Sequence, residues 1–276
     1  QKIRESGIDA ECCPNFGSHR NYMSKIEFAI SQDSEYSVKL DEDCFMSENV
    51  WDYMIDNCNV LDDESNLLMA PVLSNGIPTC DYFLEDFLEQ EMINDIYQHF
   101  LQTKFGLLWG LDYSILNRHT IYSTSWNYDA FYNSVSTLGP QHGANYFYKG
   151  IHPVRINYLA NKTINDYIVK NWDKFCDAPM CNMKLMQSKR PYFCNSIFMI
   201  KTANWRTINE RTDLFRDDYD EVPINLYRQE KDLNWLFIRN GYALHTIYNT
   251  TQKYSYENEL ISYITRLVQL RKQNGK

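Results

Sequence analysis

Asp41-Glu42-Asp43 directly follows the alternating run Tyr36-Ser37-Val38-Lys39-Leu40, which reads as a strand delivering acids at its carboxyl end. In an extended strand alternate side chains share a face, so Asp41 and Asp43 present two carboxylates to one side, their backbones about 6–7 Å apart. Such a pair can hold a hard divalent ion, Mn²⁺ or Mg²⁺, that keeps open positions for diphosphate oxygens and neutralises charge on a departing nucleotide. The plain alternative is a polar strand end that caps the next helix. Lys39, two residues before Asp41, shares its face.

The elements around this motif alternate helix and strand. Helical spacing runs from Arg20 to Ile30, and Ser47 can cap a helix carrying Val50, Trp51, Met54 and Ile55. Leu67 to Leu73 reads as a buried strand closed by Ser74-Asn75-Gly76. The clearest amphipathic helix covers Phe83 to Leu101, with Leu84, Phe87, Leu88, Met92, Ile96 and Phe100 as its apolar stripe. From Phe105 to Arg155 periodicity fades into an aromatic-rich loop region of the kind that carries function. Arg190 to Ile200 reads as another buried strand. A helix opening near Pro223 is expected to run through Leu226, Leu233, Leu236 and Ile238, and a docked terminal helix carries Leu260, Ile261, Ile264, Leu267 and Val268. A basic membrane-surface helix is the minor alternative for that last element.

Composition sets the class. The chain of 276 residues is 44% hydrophobic and 15% aromatic, which is a folded profile and enough for one sizeable domain. The net charge of −9 argues against a large nucleic-acid footprint. No apolar run approaches the roughly 20 residues of a transmembrane helix. The eight cysteines form no C-x-x-C pair, so zinc ribbons are disfavoured and free thiols in a reducing cytoplasm are expected.

Taken together, Asn15-Phe16-Gly17-Ser18-His19-Arg20-Asn21, the short helix after it and the strand ending in Asp41-Glu42-Asp43 resemble inverting glycosyltransferases of the large family two, of the GT-A kind. The resemblance is specific over residues 10–45 and diffuse afterwards. It implies an α/β fold, GT-A-like and Rossmann-like, with a mixed, mostly parallel sheet flanked by helices. Residues 1–276 then form a single catalytic domain, with 1–60 the end of the nucleotide-sugar-binding half and 61–276 the acceptor-binding half. Family members carry a strand–helix–strand unit for the base ahead of this point, where the chain has about a dozen residues, so a piece of a longer protein is expected.

The resemblance also distributes roles. Asn15, Arg20, Lys39 and Asp41 fall on the donor side; Asp41 and Asp43 fall on the metal, Mn²⁺ or Mg²⁺, with a UDP-sugar the favoured donor. His245, in Gly241-Tyr242-Ala243-Leu244-His245, resembles the late histidine that some of these enzymes add to the metal shell; a hydrogen-bonded structural histidine is the alternative. Asp220 and Glu221 fall where the family carries its acidic base, and a helix start there would favour the ionised form. Charge complementarity at the helix start explains them equally. Apart from the resemblance, Trp109, which Gly106 and Gly110 flank, is the preferred platform for stacking on an acceptor sugar, with Trp126 and Trp205 as further candidates and plain core packing as the alternative. His152 and Arg155, after the aromatic loop, could meet acceptor or diphosphate, with a satisfied turn as the alternative.

The reaction so implied is transfer of a sugar from a nucleotide-sugar donor to a hydroxyl on a glycan, a protein or a modified base, DNA being the least favoured. An aspartyl-nucleophile phosphatase is the weaker enzymatic rival, because Cys44-Phe45 rather than Thr or Val follows the second acid. A binding or virion-associated module retaining a glycosyltransferase-like fold is the non-catalytic one. The Asn- and Tyr-rich composition hints at an AT-rich genome, viral or phage.

Overall fold

The computed structural model describes residues 18–41, 43–74, 79–93, 95–96, 107–108, 111–112, 158–189, 193, 196–214, 221–246 and 253–275; for 18–24, 80–81, 107–108, 111–112, 158–160, 212, 221–222 and 253–257 it describes the backbone alone. Helix α1 (Ser18–Ser31) leads into β1 (Tyr36–Leu40), β2 (Cys44–Met46) and α2 (Glu48–Asp56). Ser47 caps α2 by accepting from Val50 N–H at 3.4 Å. Val50 and Met54 are buried, whereas Trp51 and Ile55 are exposed. Strand β3 (Asn66–Leu73) follows and is buried at every position.

The expected Phe83 to Leu101 helix is not continuous. Helix α3 spans Cys80–Phe87, and Leu88 turns extended at φ −90°, ψ 153°. The Phe87 carbonyl left at that end accepts from Lys174 Nζ at 2.7 Å. The chain can therefore turn a corner while Leu88, Ile93 and Ile96 still bury against the same cluster as Phe83 and Phe87. A small antiparallel ladder pairs β4 (Leu107–Leu108) with β5 (Leu111–Asp112); most of the Phe105 to Arg155 region lies outside the described residues.

The second half contributes α4 (Tyr158–Lys170), α5 (Trp172–Cys176), β6 (Lys184–Ser188), β7 (Ile197–Lys201), α6 (Thr202–Glu210), α7 (Glu221–Lys231), β8 (Asn234–His245) and α8 (Lys253–Gln273). The strand expected from Arg190 begins only at Ile197. Helix α7 opens at Glu221, two residues before Pro223, and ends at Lys231, where Asp232 takes φ 51°. Leu236 and Ile238, expected on that helix, are instead core residues of β8.

One mixed sheet takes strands from both halves, in the order β1-β7-β3-β8-β2 with β6 also on β8. Among the described residues four of its five pairings are antiparallel, and β3 pairs with β8 in parallel. The expected mostly parallel, Rossmann-like sheet is thus overturned. Three residues join β1 to β2, a reach of about 14 Å. In a flat sheet these two margins would stand four strand spacings apart, about 19 Å. The sheet must curl until its margins meet, which makes it nearly closed and barrel-like.

Strand β8 serves two partners along its outer edge. Its first part, Trp235 to Arg239, pairs with β6, and Ala243 to His245 pairs with β2. Between them its pairing with β3 skips from Ile238 to Tyr242. Asn240 holds φ 62° in this bulge, and a Cβ on Gly241 would come within 2.6 Å of the Ile238 side chain. Glycine is therefore required where the strand is redirected.

Both faces of the sheet are covered, as the uninterrupted apolar runs demand. Phe198, Ile200, Trp235 and Phe237 pack with α1, α6 and α7 residues such as Ile26, Trp205 and Ile224. Met69, Met199, Leu236 and Ile238 pack with Val50 and Met54 on the other side. Beyond the bulge, Tyr242 and Leu244 join Phe83, Ile164, Phe175, Leu260 and Ile264, so α8 is docked rather than spread on a surface. Among the described residues no helix is long and apolar enough to cross a membrane.

Candidate metal centre

The strand ends gather where the margins of the sheet meet. Strands β1, β3 and β8 run in one direction and finish here, while β7 and β2 begin here. Backbone bonds join these ends. Asp41 N–H donates to the Ser196 carbonyl at 2.9 Å, extending β1 against β7 by one residue. Cys44 N–H donates back to the Asp41 carbonyl at 3.1 Å, closing a turn. The Asp43 carbonyl accepts from Thr246 N–H at 3.0 Å and from the Thr246 hydroxyl at 3.2 Å. His245 N–H donates to Ser74 Oγ at 3.2 Å, tying β8 to the end of β3.

Asp43 therefore sits in a turn and not on the strand that was expected to carry both acids. Its carboxylate reaches the side chain of His245, with Oδ1 3.5 Å from Nε2. Asp43 and His245 are both buried, at 8% and 2% exposure. Cys44 stands opposite His245 in the β2–β8 register. One ligand atom from each of Asp43, Cys44 and His245 lies within 4.8 Å of the others.

Asp41 takes a different partner. Lys39 Nζ donates to its Oδ1 at 2.5 Å, with Lys39 9% exposed and the Asp41 side chain 32% exposed. Burial pushes the Asp41 carboxyl above its ordinary range; Lys39 and His245 pull it down, and the neighbouring Asp43 pushes it further up. Burial wins although the ammonium is in contact, because water is withheld from a carboxylate whose other neighbour is also acidic.

Of the residues expected at the site, the structure gathers Lys39, Asp41, Asp43 and His245. Arg20 lies on α1 and Glu221 opens α7, their side chains outside the described set. Asn15, Trp109, Trp126, His152, Arg155 and Asp220 lie outside the described residues altogether. Trp205 is not a sugar platform: it is 5% exposed and meets the Phe198 ring edge-on at 5.4 Å. Two cavities formed by described residues lie elsewhere, one of about 430 Å³ lined by Asp86, Lys174, Lys184 and Tyr242, the other of about 720 Å³ between Trp172, Tyr263 and Arg271.

Sequence reasoning missed Cys44, whose only signal was its place beside the acids. The hydrogen-bond partners Ser74, Ser196 and Thr246 had no signal, because their roles depend on strand register. No protein-family model, no characterised protein and no solved structure matches this chain.

Proposed function

We propose that this chain is a metal-dependent inverting glycosyltransferase, moving a sugar from a nucleotide-sugar donor to a hydroxyl of a glycan or protein. The observation that carries this reading is the meeting of Asp43 with His245 at the strand ends, 3.5 Å apart. Neighbouring ligand atoms around a divalent ion, with bonds of about 2.0–2.2 Å, stand roughly 3 Å apart, so the pair fits two adjacent positions. Mn²⁺ suits an oxygen and an imidazole nitrogen together better than Mg²⁺, which favours oxygen alone. Bound there, such an ion would neutralise charge on the departing nucleoside diphosphate.

The chain's own groups supply the rest. Asp41, one-third exposed, is steadied by Lys39 and would meet the donor ribose or phosphate; Asn15 and Arg20 are assigned to the donor as well. Asp220 or Glu221 takes the proton of the acceptor hydroxyl. The helix start at Glu221 favours the ionised base. The acceptor oxygen then attacks the anomeric carbon as the bond to diphosphate breaks on the opposite face, so the configuration inverts. Trp109, His152 and Arg155 would receive the acceptor. Free cysteines at 58, 176 and 181 suit a reducing cytoplasm, that of a host if the source is viral.

A second reading, a binding module without catalysis, is favoured by the Lys39–Asp41 contact, which already neutralises one acid of the motif. Hydrolysis of a UDP-sugar with and without Mn²⁺ separates the two. Turnover that requires Mn²⁺ and disappears in Asp43→Ala supports the enzyme. Stabilisation by the sugar nucleotide with no turnover, also without any acceptor in a panel of glycans and peptides, favours the module.

A further inference from the structure

We propose that Cys44 is a third ligand of this centre, and that the centre is built for a borderline ion of the Zn²⁺ or Co²⁺ kind in preference to Mg²⁺ or Mn²⁺. The inference rests on the ion held by Asp43 and His245 in the reading above, and not on sugar transfer. Cys44 and His245 are direct partners across β2 and β8. Directly opposed residues of an antiparallel pair project to the same face with their Cβ atoms about 5 Å apart. Asp43 is brought to that face by the turn that Cys44 N–H closes on Asp41.

The result is a carboxylate oxygen, a thiol sulfur and an imidazole nitrogen within 4.8 Å of one another, all buried. Tetrahedral ligand atoms at zinc-type bond lengths stand about 3.3–3.8 Å apart, so small side-chain rotations close the set. Three protein ligands leave one position for an incoming oxygen. The donor chemistry decides the ion: thiolate and imidazole favour Zn²⁺ and Co²⁺, whereas Mg²⁺ favours oxygen alone. On binding, the S–H bond of Cys44 breaks, a sulfur–metal bond forms and one proton passes to solvent. The Cys44 thiol now rests 3.8 Å from the Ser196 carbonyl, a weak contact that metal binding would replace.

Titration of the chelator-stripped full chain with Co²⁺ tests this. A near-ultraviolet thiolate-to-cobalt absorption should rise with the visible bands of the bound ion. Cys44→Ser, with the seven other cysteines intact, should lose the near-ultraviolet absorption and bind Zn²⁺ at least about tenfold more weakly, while Mn²⁺ affinity moves by less than about threefold; Cys44→Ala should do the same. Co²⁺ bound without that absorption, or the absorption retained in both variants, overturns the inference while leaving the Asp43–His245 site standing. The absorption present in a chain that never turns over a sugar nucleotide supports the inference and removes the glycosyltransferase reading. Binding of neither Co²⁺ nor Mn²⁺ by the wild type sinks both.

Discussion

His245 Nε2 lies 3.5 Å from Asp43 Oδ1, although the two residues come from opposite ends of the described chain. The main chain of both residues is pinned beside that contact, since the Asp43 carbonyl accepts from Thr246 N–H and His245 N–H donates to the Ser74 hydroxyl.

Removing either member should therefore abolish ion binding with the fold retained. Saturating Mn²⁺ at about a hundred times its dissociation constant stabilises a one-site protein by about 2.7 kcal/mol. In a chain of this size that is a rise of several degrees in melting temperature. The rise should vanish in Asp43→Asn and in His245→Ala, with unchanged far-ultraviolet circular dichroism. Persistence of the full shift in Asp43→Asn would place the ion elsewhere.

Lys39 offsets the burial of Asp41, so Lys39→Met should destabilise the apo chain by about 1–3 kcal/mol at neutral pH. The pH dependence has a definite sign. The folded Asp41 carboxyl is already raised by burial and rises further without the ammonium, so the folded state binds the proton more tightly than the unfolded one. Stability from this group is complete below the unfolded value and is lost as pH rises through the folded one. The Lys39→Met penalty should accordingly be smaller near pH 4.5 than near pH 7.5, measured by urea unfolding with chelator. Adding Asp41→Asn should remove that difference.

Burial lifts the Cys176 thiol to about 11, whereas Cys181 is exposed. At pH 8 only about one Cys176 in a thousand is thiolate. Iodoacetamide followed by peptide mass mapping should label Cys181 first, with Cys176 slower by on the order of a hundredfold, and the gap should narrow as pH approaches 10. Equal labelling at pH 8 would contradict the packing of Cys176 beside α8.

Arg239 donates to both Asp86 oxygens, at 2.5 and 2.6 Å, and stacks over Tyr82 at 4.4 Å. Arg239→Met leaves Asp86 partly buried without its partner and should cost about 2–3 kcal/mol. Asp86→Asn in the same background should recover part of that loss in a double-mutant cycle. A purely additive cycle would show that the pair is not coupled.

Much of the frame was readable before the structure. The alternation at Tyr36–Leu40, the helical spacing before it, the Ser47 cap and the apolar run into Leu73 all give the elements expected of them. Each is a local signal. The misreadings arise where local pattern underdetermines the answer. Leu233 to Ile238 is apolar at nearly every position, and a strand buried on both faces cannot be told from a buried helix by period alone. Asp232 ends α7 by entering the left-handed region without the glycine that would have announced it. Nothing at Leu88 marks the break of α3, because its compensation comes from Lys174 far along the chain.

Strand direction and register are likewise invisible to periodicity. The four antiparallel pairings therefore displaced a parallel sheet that the motif order had implied. The same limit hid Cys44, a residue made interesting only by facing His245.

The three-residue link that forces β1 and β2 together has a final consequence. It makes the candidate centre a clasp: its groups come from Cys44 at the start of β2, His245 at the end of β8 and Asp43 in the link itself. Fraying of the three-residue β2 would unfasten them while leaving β7, β3 and the first half of β8 zipped. An ion seated there would hold the clasp shut, so its affinity and the resistance of this seam to opening are one quantity observed in two ways.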